Sequence, residues 1–241
     1  MFPIGDDNSG RRMQPITNYT IIFINVVVFV FLQGLGGNDA FTYAYSLVPK
    51  EVMTGTDLVG VIPITDAFGK VLGDIQLQQT FPSVYVTFLT SMFMHGGISH
   101  IFGNMLFLFI FGDNIENRIG HIRYAAFYLI CGFAAAVGQI IMGPDSVIPM
   151  LGASGAISGV LGGYLLLYPN NRVKALLFNF FTEVPAYVAL GIWIVYQIVL
   201  GFLTPSGSGG VAYAAHIGGF VAGLALIKVF AIGTSDSRQT Q

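Results

Sequence analysis

Along this chain the apolar positions fall into six long blocks, at residues 19–35, 98–115, 124–142, 154–168, 184–203 and 211–232, separated by short polar or glycine-rich stretches. A run of about 20 apolar residues is what a helix needs to cross the hydrocarbon core of a bilayer. The pattern therefore predicts six transmembrane helices, the fourth markedly short. A seventh apolar stretch, 81–93, is too brief to span and is expected to lie in the interface or to lead into the second helix. The segment 36–82 is far longer than a usual helix connection and is expected to hold folded structure of its own at the interface. No repeat at a fixed period is visible, and the halves of the chain do not mirror each other as in transporters built from inverted repeats.

Composition agrees with the pattern. Hydrophobic residues make up 54% of the chain and charged residues only 9%, against roughly 25% charged in a soluble domain. A net charge of -2 leaves no electropositive surface for nucleic acid. The single cysteine, Cys131, lies in an apolar stretch and forms no intramolecular disulfide. The first eighteen residues lack the short apolar core and cleavage site of a secretory signal, so the first block reads as a retained span.

The cations orient the bundle, because Lys and Arg favour the cytoplasmic side. Arg11, Arg12, Arg118, Arg123, Arg172, Lys174, Lys228 and Arg238 fall on one side of a six-span arrangement. The other side receives Lys50 and Lys70, in a loop that also carries Asp39, Glu51, Asp57, Asp66 and Asp74. This divides the chain into a short cytoplasmic tail (1–17), a membrane domain (18–232) and a second short cytoplasmic tail (233–241). The connections 143–153 and 204–210 then lie outside, and the second of these, TPSGSGG, is expected to be mobile.

Polar residues inside membrane spans are costly and mark candidate sites. In the second span His100 and Asn104 are four residues apart and share a helix face. In the fourth, Ser154 sits among Gly152, Gly155, Gly159 and Gly163; in the sixth, His216 precedes Gly219 and Gly223. These three spans run in the same direction, so His100, Asn104, Ser154 and His216 share one depth. Glycines at four-residue spacing allow close helix approach in lipid, which would bring the Ser154 hydroxyl to His216. A serine beside a histidine base is the minimum activated oxygen nucleophile. The Ser154 amide, at a buried helix start, and the side chains of Asn104 and His100 are candidate oxyanion donors. The outer halves of the spans hold no Asp or Glu, so the expected unit is a Ser-His dyad in a hydrated cavity. Taken singly, the glycine motif also fits helix packing, His216 a proton relay, and the His-Asn pair an interhelical hydrogen bond. His95 is expected to steady the loop before the second span, and His121 to be surface. With no carboxylate or free cysteine near His95 and His100, a zinc site is not expected.

These residues resemble the rhomboid intramembrane serine proteases. His95, His100 and Asn104 match His-x4-His-x3-Asn; Gly152, Ser154 and Gly155 match Gly-x-Ser-Gly; Ala215, His216, Gly219 and Gly223 match Ala-His-x2-Gly-x3-Gly. Glu116, Arg118 and Gly120 look like the family's Glu-x-Arg-x-Gly signature, implying a structural ion pair. The resemblance implies an all-α, six-transmembrane-helix bundle without metal or organic cofactor. It further implies Ser154 as nucleophile, His216 as base and then acid, and Asn104, His100 and the Ser154 amide as oxyanion hole. Its substrates would be transmembrane segments of other proteins, cut in the bilayer near the outer surface, with the 204–210 loop as cap and the fifth span beside a lateral entrance. The short tails suggest a bacterial or archaeal plasma-membrane protein of open oligomeric state. Two features depart from the family. The first loop lacks its Trp-Arg pair, the only tryptophan being Trp193. Ser158 stands where many members stack an aromatic on the histidine, leaving a local hydrogen bond or another aromatic to take that place. A relative that captures transmembrane clients without cutting them, and a proton-coupled transporter, remain the alternatives.

Overall fold

The computed structural model describes residues 2–65, 69–177, 180–204 and 211–234. Among the described residues four helices are long and apolar enough to cross a membrane: α5 (Ile98–Ile119), α6 (His121–Met142), α8 (Ala186–Leu203) and α9 (Tyr213–Phe230). Two shorter apolar helices complete the six expected spans. α1 (Ile16–Val27) continues through a wider turn to Leu32, and α7 (Ser154–Leu167) has 14 residues. At 1.5 Å per residue α7 is roughly 21 Å long, short of the ~30 Å hydrocarbon core. The boundaries fall within a few residues of those expected, and the protein is a helical membrane bundle.

α7 forms its axis. Every residue from Gly155 to Tyr164 is buried, surrounded by Phe111 of α5, Tyr124, Phe127 and Tyr128 of α6, and Ile227 of α9. Lipid is as apolar as leucine, so close packing rather than escape from water holds such helices together. The glycines serve this directly. A Cβ on Gly219 would stand 2.0 Å from the Gly155 carbonyl oxygen, and one on Gly223 would stand 2.0 Å from that of Gly159. Outward-facing Phe23, Ile122, Phe133, Ile192 and Val221 are exposed, as lipid-facing side chains are.

One end of the bundle collects the cations. Arg11 pairs with Asp113 at 2.7 Å. Arg123 donates to the carbonyls of Phe230 (3.0 Å) and Ile232 (2.7 Å), and Arg118 to the carbonyl and hydroxyl of Thr234. A three-stranded antiparallel sheet sits here, formed by β1 (Phe2–Asp6), β4 (Arg172–Leu177) and β5 (Phe180–Pro185) in the order β1-β4-β5. This sheet is not among the expected elements. Residues 2–6 are a docked strand, because the connection between α7 and α8 offers β4 an open edge. The Asp6 carboxylate accepts from the Tyr164 hydroxyl (2.6 Å) and the Asn114 amide (2.8 Å), fastening the strand to α7 and α5.

The expected ion pair between Glu116 and Arg118 is absent. Residues two apart on a helix face different ways, and the two side chains do different work. Glu116 is fully buried and accepts from the backbone amides of Thr17 (2.8 Å) and Asn18 (2.7 Å), so its carboxylate closes the start of α1, where helix amides lack partners. His121, expected to be surface, lies against the same carboxylate.

At the opposite end the long first connection is folded, as its length implies. It holds α2 (Asp39–Ala44), α3 (Pro49–Thr54) and the hairpin of β2 (Gly60–Thr65) and β3 (Val71–Leu77). The apolar stretch before α5 forms short turns around α4 (Thr87–Thr90) rather than a span. Leu47 and Met150 exchange backbone hydrogen bonds (2.9 and 2.7 Å), and Gly152 donates to the Ser91 carbonyl (2.9 Å). These contacts hold the approach to α7 in place. Residues 205–210, most of the expected cap, together with Asp66 and Arg238, lie outside the described residues.

Candidate active site

Ser154 is the first residue of α7, and its amide therefore has no partner within the helix. The chain arrives through Gly152 at φ +127°, a conformation that favours glycine. A Cβ there would stand 2.9 Å from the His100 ring. The glycine thus both makes the turn and lets His100 pack over it.

His216 lies in the first turn of α9, whose start is fixed by Gln139 of α6 accepting from the Ala215 amide at 3.2 Å. The glycine contacts between α7 and α9 then bring the two side chains together: Ser154 Oγ is 2.8 Å from His216 Nε2. On its other side, His216 Nδ1 is 2.8 Å from Gln197 Oε1 of α8. An amide oxygen only accepts, so the imidazole proton sits on Nδ1 and Nε2 is left to accept from the Ser154 hydroxyl.

Asn104 and His100 project from the first two turns of α5. Asn104 Nδ2 lies 2.9 Å from His95 Nε2. An amide nitrogen carries two hydrogens, so one goes to His95 and the other remains for the cavity. His95 is fully buried, its backbone amide and carbonyl both bonded to the Gln33 side chain at 2.9 Å. Its steadying role in the loop therefore extends to the Asn104 side chain. His100 Nδ1 accepts from the Gly96 amide (3.3 Å), which leaves Nε2–H as a donor.

Ser154, His216, Asn104 and His100 line one cavity of about 920 Å³, bounded also by Gly138 and Met142 of α6 and by Ile198 and Phe202 of α8. Among the described residues, no three His, Cys, Asp or Glu side chains converge as a metal would require. Ser158 takes the local option: its hydroxyl donates to the Ser154 carbonyl at 2.6 Å and so turns away from the imidazole. The aromatic neighbour of His216 is instead Trp193, with ring centroids 6.0 Å apart.

Gln197, Gln33 and the Trp193 contact are absent from the sequence-based candidates. Gln197 carried a usable signal, as the lone side-chain amide in an otherwise apolar span, four residues and one turn from Trp193. Gln33 carried a similar signal, as a side-chain amide inside the expected 19–35 span.

The rhomboid domain model matches residues 82–232, well over half of the chain. The chain belongs to the rhomboid family. It is 30% identical to RHOMBOID-like protein 1 of Arabidopsis thaliana over 88% of its own length and 52% of that protein's. To RHOMBOID-like protein 4 of the same plant it is 33% identical over 57% of the chain and 32% of the relative. With the mitochondrial Rhomboid protein 1 of Saccharomyces cerevisiae it shares 30% identity over 61% of the chain and 42% of the relative. This rhomboid thus spans about a third to a half of these relatives' lengths. Rhomboids are generally serine intramembrane proteases. Plant, yeast and mouse relatives, two of them named mitochondrial, give no support to a bacterial or archaeal plasma membrane.

Proposed function

We propose that this rhomboid is a serine endopeptidase that hydrolyses peptide bonds in or beside the transmembrane segments of other membrane proteins. The observation that carries the reading is the 2.8 Å approach of Ser154 Oγ to His216 Nε2 at the buried start of a helix. A hydroxyl held against an unprotonated imidazole nitrogen is poised to lose its proton as it attacks a carbonyl.

Ser154 Oγ adds to the scissile carbonyl while His216 Nε2 takes its proton. The developing oxyanion receives hydrogen bonds from the Ser154 amide, the second Asn104 amide hydrogen and His100 Nε2–H. Such donors act most strongly where water is excluded. The imidazolium then returns the proton to the leaving amine, and the ester on Ser154 is resolved by water from the cavity, with His216 again as base. In this scheme the nucleophile and the base come from the protein, and water enters only to resolve the ester.

Ser154 heads a helix too short to span the bilayer, so the site lies below the surface at the end remote from the cations. With that cationic end facing the cytoplasm, both termini are cytoplasmic and cleavage falls near the outer face. The wall formed by α8, whose outward side is exposed to lipid, supports sideways arrival of a substrate helix.

The test is labelling of the purified, detergent-solubilised protein with a fluorescent fluorophosphonate. Wild type is expected to label, and Ser154→Ala and His216→Ala are not. A folded wild type that stays unlabelled would favour capture of transmembrane clients without cutting.

A further inference from the structure

We infer that Gln197 is a positioning residue for the base: its side-chain oxygen holds His216 in the Nδ1–H tautomer, completing a Ser154-His216-Gln197 relay with no buried carboxylate. The inference rests on the reading of Ser154 and His216 as nucleophile and base, and it adds the group that orients them.

A free imidazole distributes its proton between two nitrogens and rotates about its side chain. Only the form with Nε2 unprotonated and aimed at Ser154 can take the serine proton. In a Ser-His-Asp triad the carboxylate fixes that form and also stabilises the imidazolium. Gln197 Oε1, 2.8 Å from Nδ1, accepts the Nδ1 proton and so performs the first task. The amide suits the location. Gln197 is 6% exposed on a span whose other residues are apolar or aromatic, and an uncompensated carboxylate there would be costly.

Three further observations point the same way. Ser158, one turn after the nucleophile on α7, is engaged with the Ser154 carbonyl and leaves the imidazole unsupported from that side. Trp193 lies one turn before Gln197 on the same face of α8, with its ring beside the imidazole and also beside Phe220. Both supports of His216 thus come from α8, which also forms a cavity wall through Ile198 and Phe202. Displacement of α8 would withdraw the proton acceptor and the aromatic neighbour together, so the base is oriented only while α8 is seated against α9.

The experiment compares wild type with Gln197→Leu and Gln197→Glu, using Ser154→Ala as background. The second-order rate of fluorophosphonate labelling is measured across pH, along with kcat and KM on a transmembrane substrate. Among the described residues the other titratable side chains on the cavity are His100 and Tyr213, and both are left intact throughout. Gln197→Leu is expected to label about tenfold more slowly and to lose kcat by a similar factor with KM little changed, as one neutral hydrogen bond predicts. Gln197→Glu is expected to recover the rate and to move the acid limb of the profile to higher pH by about one unit. That shift also decides the matter if Gln197→Leu does not fold. Equal rates for wild type and Gln197→Leu, or an unmoved acid limb in Gln197→Glu, would overturn the inference and leave Gln197 a packing residue. Nitrogen-15 shifts of the His216 ring, assigned with His216→Ala, provide a readout that needs no activity. A proton on Nδ1 in wild type that redistributes in Gln197→Leu is expected, and a proton on Nε2 in wild type would overturn it. An unlabelled wild type with the proton on Nδ1 would instead sink the protease reading and leave the positioning intact.

Discussion

Gly219 packs against Gly155 with no room for a side chain between them: a Cβ on Gly219 would lie 2.0 Å from the Gly155 carbonyl oxygen. The contact sits one residue after Ser154 and one turn after His216, so the spacing of α7 and α9 is also the spacing of the reacting pair. Gly219→Ala must push the helices apart. A loss of about 1–3 kcal/mol is expected, visible as a lower Tm in detergent, together with a larger loss of labelling at Ser154. Gly191→Ala, in open space on α8, is the matched control. It should leave Tm unchanged or slightly raised, as a helical glycine replaced by alanine does.

Glu116 and Arg118 should behave as independent residues. Glu116→Ala removes the acceptor of two amides at the start of α1 and is expected to cost about 2–4 kcal/mol. Arg118→Ala loses contacts to Thr234 at a part-exposed site and should cost under about 1 kcal/mol. Thermal unfolding of both variants and of the charge-swapped double variant checks this. Recovery of stability by the swap would restore the ion pair that the structure lacks.

The sequence showed the spans because a bilayer demands long apolar runs, and it showed Ser154, His216, Asn104 and His100 because isolated polar groups stand out against them. Gln197 stood out in the same way but carries no charge and no nucleophile, so nothing in its own span assigned it a use. The β1-β4-β5 sheet was invisible for a different reason. Asp6 meets Val173 across the register, and no local periodicity announces a pairing between segments so distant in the chain. The Glu116-Arg118 pair failed because a sequence motif records adjacency in the chain, whereas helix geometry decides what faces what.

His95 should influence the reaction only through Asn104. Asn104→Ala is expected to lower kcat by about 100-fold, as loss of an oxyanion donor does. His95→Ala should give a smaller loss in the wild-type background and almost none in the Asn104→Ala background. The double-mutant cycle in kcat measures this coupling. Additive losses would show that His95 acts elsewhere.

Asp6 couples the docking of β1 to pH. Burial, reinforced by the nearby Asp113 and opposed by hydrogen bonds from Tyr164 and Asn114, raises its carboxyl from 3.8 to about 7. The folded chain therefore holds this proton more tightly than the unfolded chain. The stability it contributes is fully present below about pH 4 and is lost as pH rises towards 7. Tm measured from pH 4 to 8 is expected to fall for wild type relative to Asp6→Asn, which has no such group to ionise. Parallel profiles would contradict the burial of this carboxyl.

Reconstituted into liposomes with a transmembrane substrate carrying a helix-destabilising segment near its outer end, the protein tests the account in one measurement: the masses of the products. The account predicts two fragments whose masses sum to the substrate plus one water, cut in or beside the membrane segment, and none with Ser154→Ala. Intact substrate after incubation with folded wild type that demonstrably binds it would contradict the account, leaving a rhomboid that holds its client without cutting.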